Sequence, residues 1–175
     1  MFFKAKDLMT VGNIGGGVAS VLIAMEGMGC RPEDVPTYVF WSGFAVLAAY
    51  FFDAFDGFVA RALNQMNQFG AEFDNVADLI AYSVAPSFLL YLTFSRAVTL
   101  PGIEPGSVLA VVVAIVMAST PVLSGAIRFA RFNVRKLDVP GFWIGFPRPA
   151  SALLIVSHVN SHLFLHSGLV RWMSV

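Results

Sequence analysis

The sequence predicts an all-α fold, a polytopic bundle of five to six transmembrane helices preceded by a short N-terminal interfacial segment, and three observations carry that expectation. The 175-residue chain is 57% hydrophobic and 13% charged, with a mean hydropathy of +0.73, too apolar for a water-soluble globule. Its charges leave five charge-free stretches, 8–25, 35–52, 79–95, 107–127 and 149–170, each near or above the roughly 20 residues a helix needs to cross about 30 Å of hydrocarbon. The basic residues are placed asymmetrically: with a cytoplasmic N-terminus and alternating spans, Lys4, Lys6, Arg61, Arg128, Arg131, Arg135, Lys136 and Arg148 fall on the cytoplasmic side and Arg31, Arg96 and Arg171 opposite. One domain over residues 1–175 in the cell membrane is the expectation.

Residues 1–7, with Lys4 and Lys6 among Phe2, Phe3 and Leu8, read as a segment lying on the membrane surface. The first span lacks a cleavage site followed by a polar region and is expected to remain. It carries Gly12, Gly15, Gly16, Gly17 and Ala19, small residues that let a neighbouring backbone approach where lipid supplies no hydrophobic drive. Residues 29–36, with two prolines, form the outer turn. A second helix is expected from near Tyr38 to Ala60 or Arg61, a third from near Gly70 to about Phe94 with a kink at Pro86. An outer loop with Pro101 and Pro105 precedes a fourth helix, from Ser107 to about Asn133. The proline- and glycine-rich linker 134–149 leads into the fifth.

Net charge is zero and there is one cysteine, Cys30, which excludes an intrachain disulfide, a thiolate zinc cluster and a basic nucleic-acid surface. His158, His162 and His166 recur every four residues. On one helix they form a stripe that, with Ser157, Asn160 and Ser161 beside it, reads as a polar helix–helix contact rather than a soft-metal site.

The acidic residues carry the chemistry. Of 11 in the chain, Asp53, Asp56, Glu72, Asp74 and Asp78 crowd into one helical hairpin within or beside membrane-spanning sequence, where an uncompensated carboxylate is costly. Asp53 and Asp56 are spaced i, i+3 and Asp74 and Asp78 i, i+4, so each pair shares a helix face. A short linker makes the helices antiparallel neighbours, so four carboxylates converge near the cytoplasmic interface and repel one another unless a cation joins them. All-oxygen ligation selects Mg²⁺, Mn²⁺ or Ca²⁺ over zinc or copper, and four carboxylates suit two ions. Gly57, Ala60 and Gly70 leave room for a flat group, and Arg61 suits a phosphate. A cation transporter also places acids in the membrane, but it accounts for the aspartates without the arginine, glycine and alanine at fixed spacing.

The pattern Asp53-x-x-Asp56-Gly57-x-x-Ala60-Arg61, eight residues, Gly70-x-x-x-Asp74-x-x-x-Asp78 resembles the signature of the CDP-alcohol phosphatidyltransferase family at every specified position. The resemblance implies a dimeric bundle of typically six transmembrane helices with a polar cavity open to the cytoplasm. It implies two divalent ions, Mg²⁺ or Mn²⁺ with Ca²⁺ as a non-native occupant, on Asp53, Asp56, Asp74 and Asp78, and Asp78 as general base. It also implies a CDP-lipid pocket lined by Gly57, Ala60, Arg61 and Gly70, with Thr10 and Asn13 resembling a Thr-x-x-Asn element beside the nucleotide. Few residues remain after the fifth span for a sixth helix.

The acceptor alcohol must be read elsewhere. Arg128 and Arg131 share a helix face and suit a carboxylate, with Asn133 as a polar partner, whereas Arg135 and Lys136 read as the positive flank. The Ala130-Arg-Phe-Asn133 and Gly145-x-Pro147-x-Pro149 elements, with residues 69–86, resemble the serine-transferring subfamily of membrane-integral synthases. L-Serine is therefore the expected acceptor and CDP-diacylglycerol or CDP-archaeol the expected donor. Glycerol phosphate, inositol phosphate and choline share the donor signature and remain alternatives.

Overall fold

The computed structural model describes residues 5–62, 68–97, 103, 106–134 and 147–161, with side chains described for 8–55, 69–97, 103, 106–131 and 147–161. Five helices make up this part of the chain. Helix α1 is Ala5–Gly29 and α2 is Val35–Ala62. Helix α3 runs without a break over 68–97 but alternates α-helical and π-helical turns: Gln68–Leu79, the π turn Ile80–Val84, Ala85–Leu92, and the π turn Thr93–Ala97. Helix α4 is Val108–Val134 and α5 is Arg148–Val159.

Four segments, Leu8–Gly29, Val35–Phe55, Phe69–Ala97 and Val108–Arg131, are long and apolar enough to cross a membrane. Their packing is that of a multi-pass membrane protein. Leu8, Leu22, Phe40, Trp41, Phe51, Val108, Val116 and Ile127 all face outward with more than half of their surface exposed, while Thr10, Asn13, Ser20, Ser42, Ser83 and Thr93 are buried. In water this arrangement forfeits apolar burial; in lipid it leaves polar groups to partner one another.

Two expectations at the ends of the chain change. Helix α1 already begins at Ala5, so the last residues of the expected interfacial segment continue the first helix; residues 1–4 lie outside the described residues. Helix α5 has 12 residues, about 18 Å at 1.5 Å per residue, and stops well short of the single helix expected over 149–170. Asn160 ends it: its backbone N–H and its side-chain amide both donate to the Val156 carbonyl, at 3.0 and 2.9 Å, and its backbone leaves the helical region at φ −87°, ψ 0°. A side chain that competes for a backbone acceptor destabilises helix continuation. The histidine stripe needed that helix to continue; His158 lies on α5, while His162 and His166 fall outside the described residues.

Small residues and hydroxyls hold the bundle together. A Cβ at Gly16 would stand 2.8 Å from the Ala49 Cβ on α2, and one at Gly17 2.8 Å from the Ala81 Cα on α3, so α1 lies in close backbone contact with both. Ser42 Oγ donates to the Ser20 carbonyl at 3.0 Å, which leaves Ser20 Oγ to donate to Ser42 Oγ at 2.9 Å. That buried α1–α2 link leaves neither hydroxyl unsatisfied in a medium without water. At the far end, Arg96 donates to the Cys30 carbonyl at 2.9 Å and ties α3 to the end of α1.

The two buried prolines within the spans, Pro86 and Pro121, are both accommodated. Pro86 was expected to kink α3; it occupies the first turn of Ala85–Leu92, immediately after the π turn, where the wider backbone relieves the clash with the carbonyl four residues back. Pro121, inside α4, has no N–H to offer the Met117 carbonyl, and Thr120 Oγ1 donates to that carbonyl at 2.8 Å instead.

Candidate metal centre

Each helix brings one functional side chain or more to the same end of the bundle. Asp53 comes from α2, and Asp74 and Asp78 from α3. One carboxylate oxygen from each lies within 4.8 Å of the others, the convergence expected from two same-face pairs on antiparallel neighbours. Asp56, the fourth expected ligand, lies on α2 but its side chain is outside those described, as are those of Gly57, Ala60, Arg61 and Asn133. Gly70 is buried in the first turns of α3.

Around the cluster, polar groups approach from the other helices. Asn13, fully buried on α1, donates Nδ2 to Asp78 Oδ1 at 3.5 Å, and Thr10 is buried one turn before it. Tyr82, on the π turn of α3 and 1% exposed, donates its hydroxyl to Asp53 Oδ2 at 3.0 Å. Arg148, the first residue of α5, places Nη2 3.9 Å from Asp78 Oδ2, with both side chains less than a fifth exposed. The same guanidinium grips Asn75 twice, Nη1 to its carbonyl oxygen and Nη2 to its Oδ1, both at 3.2 Å. Arg128 on α4 is within electrostatic reach of Asp78 and Arg148, and its Nη1 is buried without a hydrogen-bond partner among the described residues. Arg131, three residues further along, is exposed.

The donor set fits a hard divalent cation. Three carboxylates meet at one point, with Arg148 3.9 Å from one of them, and such a crowding of negative charge in a half-buried place suits a cation. The Asn13 Oδ1 is buried with no hydrogen-bond partner among the described residues, a further oxygen of the hard type. Among the described residues no histidine or cysteine belongs to the group, a donor set that favours Mg²⁺, Mn²⁺ or Ca²⁺ over softer ions.

Three residues that the structure brings to the site were not singled out from the sequence for it. Tyr82 stands four residues beyond Asp78, a spacing visible in the sequence, but it lies on the π turn Ile80–Val84, which is not. Arg148 had a subtler signal: a cation at a helix N-terminus is disfavoured by the helix dipole, so an arginine between Pro147 and Pro149 in the first turn of α5 needs an anion or carbonyls from elsewhere. Asn75 had none, since its partner lies 73 residues away.

The model of the CDP-alcohol phosphatidyltransferase family matches residues 5–175. A CDP-diacylglycerol–serine O-phosphatidyltransferase of Methanocaldococcus jannaschii is 42% identical over 115 residues, 64% of this chain and 48% of that protein. One of Helicobacter pylori is 40% identical over 131 residues, 70% of this chain and 48% of that protein. An archaetidylserine synthase of Methanothermobacter thermautotrophicus is 30% identical over 158 residues, 89% of this chain and 58% of that protein. The chain spans about half the length of the curated relatives it matches.

Proposed function

The chain belongs to the CDP-alcohol phosphatidyltransferase family, and from that premise we propose that it transfers a phosphatidyl-type group from CDP-diacylglycerol or CDP-archaeol to the hydroxyl of L-serine, releasing CMP. The observation that carries this reading is the meeting of Asp53, Asp74 and Asp78 oxygens within 4.8 Å at the end of a membrane-spanning hairpin. That is where a lipid pyrophosphate at the interface and a water-soluble alcohol can meet.

In this reading Asp53, Asp56, Asp74 and Asp78 hold two divalent cations, Mg²⁺ or Mn²⁺. The ions, when bound, supply neutralisation of the pyrophosphate and of the CMP leaving group. Thr10, Asn13, Gly57, Ala60, Arg61 and Gly70 form the pocket for the CDP moiety. Asp78 accepts the proton of the serine hydroxyl as its oxygen bonds to the lipid-side phosphorus and the bond from that phosphorus to CMP breaks. Asn13 and Arg148, at 3.5 and 3.9 Å from its two oxygens, keep Asp78 oriented for that transfer. Arg128, with Arg131 and Asn133 further along α4, receives the serine carboxylate; its buried Nη1 beside the field of Asp78 supports Arg128 most strongly. The site opens to the cytoplasm and the working unit is a homodimer, as the family resemblance implies.

The test offers the purified protein CDP-diacylglycerol and Mn²⁺ with serine, glycerol phosphate, inositol phosphate or choline in turn, and measures CMP. Release with serine is the expected result. Release with another alcohol but not serine overturns the acceptor assignment, and ion flux in proteoliposomes without CMP release overturns the transferase reading.

A further inference from the structure

Tyr82 has no place in donor, acceptor or metal binding as assigned above, yet it is among the largest fully buried side chains of the molecule and its one polar atom is aimed at the centre of the site. Its position depends on the π turn. In an α-helix each step of four residues overshoots a full turn by about 40°, so Asp74, Asp78 and Tyr82 would drift steadily around α3. The π turn Ile80–Val84, closed by the Ala85 N–H donating to the Ile80 carbonyl, widens the backbone where that drift would carry Tyr82 away from α2.

A buried tyrosine needs a hydrogen-bond acceptor, and any backbone carbonyl would serve. This one donates to a carboxylate across 29 residues of sequence, a charge-assisted bond stronger than a neutral one. Asp74 and Asp78, close to Asp53 on α3, push its charge outward, and the bond from Tyr82 opposes that push.

We propose that Tyr82 is a positioning residue for Asp53: its hydroxyl, donating to Oδ2, holds that carboxylate in the cluster against repulsion from Asp74 and Asp78 and so preorganises the site for a divalent cation. Tyr82 acts through Asp53 and touches neither substrate nor ion, the way an outer hydrogen bond orients a metal ligand. The proposal rests on the metal-site reading above.

The experiment uses the full chain in detergent without substrate. Mn²⁺ binding is followed by the loss of the free-ion electron paramagnetic resonance signal, and thermal unfolding is recorded without metal. Tyr82→Phe is expected to weaken Mn²⁺ binding roughly tenfold while the metal-free chain still unfolds cooperatively, since ring and packing are unchanged and only the hydroxyl's bond is lost. Unaltered Mn²⁺ affinity, or a lowered metal-free melting temperature with unaltered affinity, overturns the proposal. Should the phenylalanine variant fail to fold, 3-fluorotyrosine at 82 keeps the side chain and alters the strength of the donor; an unmoved Mn²⁺ affinity there also overturns it. Asp53→Asn tests the foundation separately: equal Mn²⁺ binding in that variant and the native chain overturns the metal-site reading and the proposal with it.

Discussion

Replacing Arg148 by methionine keeps the length and apolar stem of the side chain and removes its charge and all its hydrogen bonds. At 3.9 Å from Asp78 Oδ2, and with an effective dielectric constant near 20, the lost attraction is about 4 kcal/mol. The two bonds to Asn75 at 3.2 Å have a charged donor and contribute about 1.5–3 kcal/mol each in mutational terms. Relief of the desolvation of the guanidinium offsets much of this, so the net loss falls near the 3–5 kcal/mol typical of removing one partner of a buried pair. If most of it appears in the orientation of Asp78, kcat/KM for CMP release with serine falls by about two to three orders of magnitude, at about 1.4 kcal/mol per factor of ten. Arg148→Lys keeps the charge but not the planar fork and should lie between the two. The assay is CMP release in detergent with CDP-diacylglycerol, serine and Mn²⁺, beside thermal unfolding. A methionine variant within about threefold of native kcat/KM, less than 1 kcal/mol, refutes the link from Arg148 to Asp78.

Asp78→Asn should retain the fold and CDP binding and lose turnover by about 10²–10⁴; native rates in that variant would remove Asp78 as base. A Cβ at Gly125 would collide with Ser83 Oγ and stand 2.8 Å from Ser83 Cβ, so Gly125→Ala should destabilise by about 1–3 kcal/mol. In thermal unfolding, adding Ser83→Gly should recover part of that loss, and strict additivity of the two changes would show that they do not touch.

The aspartate hairpin was legible because its information is local: spacings of three and four residues set a shared helix face, and a short linker sets the neighbour. The membrane class was legible for the same reason, as apolar runs need no tertiary knowledge. What escaped depends on partners distant in sequence or on a choice of hydrogen-bond register. The π turn at Ile80–Val84 differs from an α turn by one residue in its bonding, and neither side-chain propensity nor hydropathy reports that difference. Arg148 was legible as a positive charge at the interface but not as the partner of Asn75 and Asp78, which only the docking of α5 on α3 reveals. The end of α5 was missed because hydropathy continues past Val159 while the capture of the Val156 carbonyl by Asn160 is a geometric event.

The hydroxyl of Thr120 standing in for the absent proline N–H makes positions 120 and 121 of α4 a linked pair, so the order in which they change matters. Losing Thr120 first strands the Met117 carbonyl inside the helix, while losing Pro121 first restores an ordinary backbone bond and frees the threonine to drift. A lineage that leaves this pair therefore has one easy path, through the proline, and variants with a non-hydroxyl residue at 120 should be tolerated only where 121 is no longer proline.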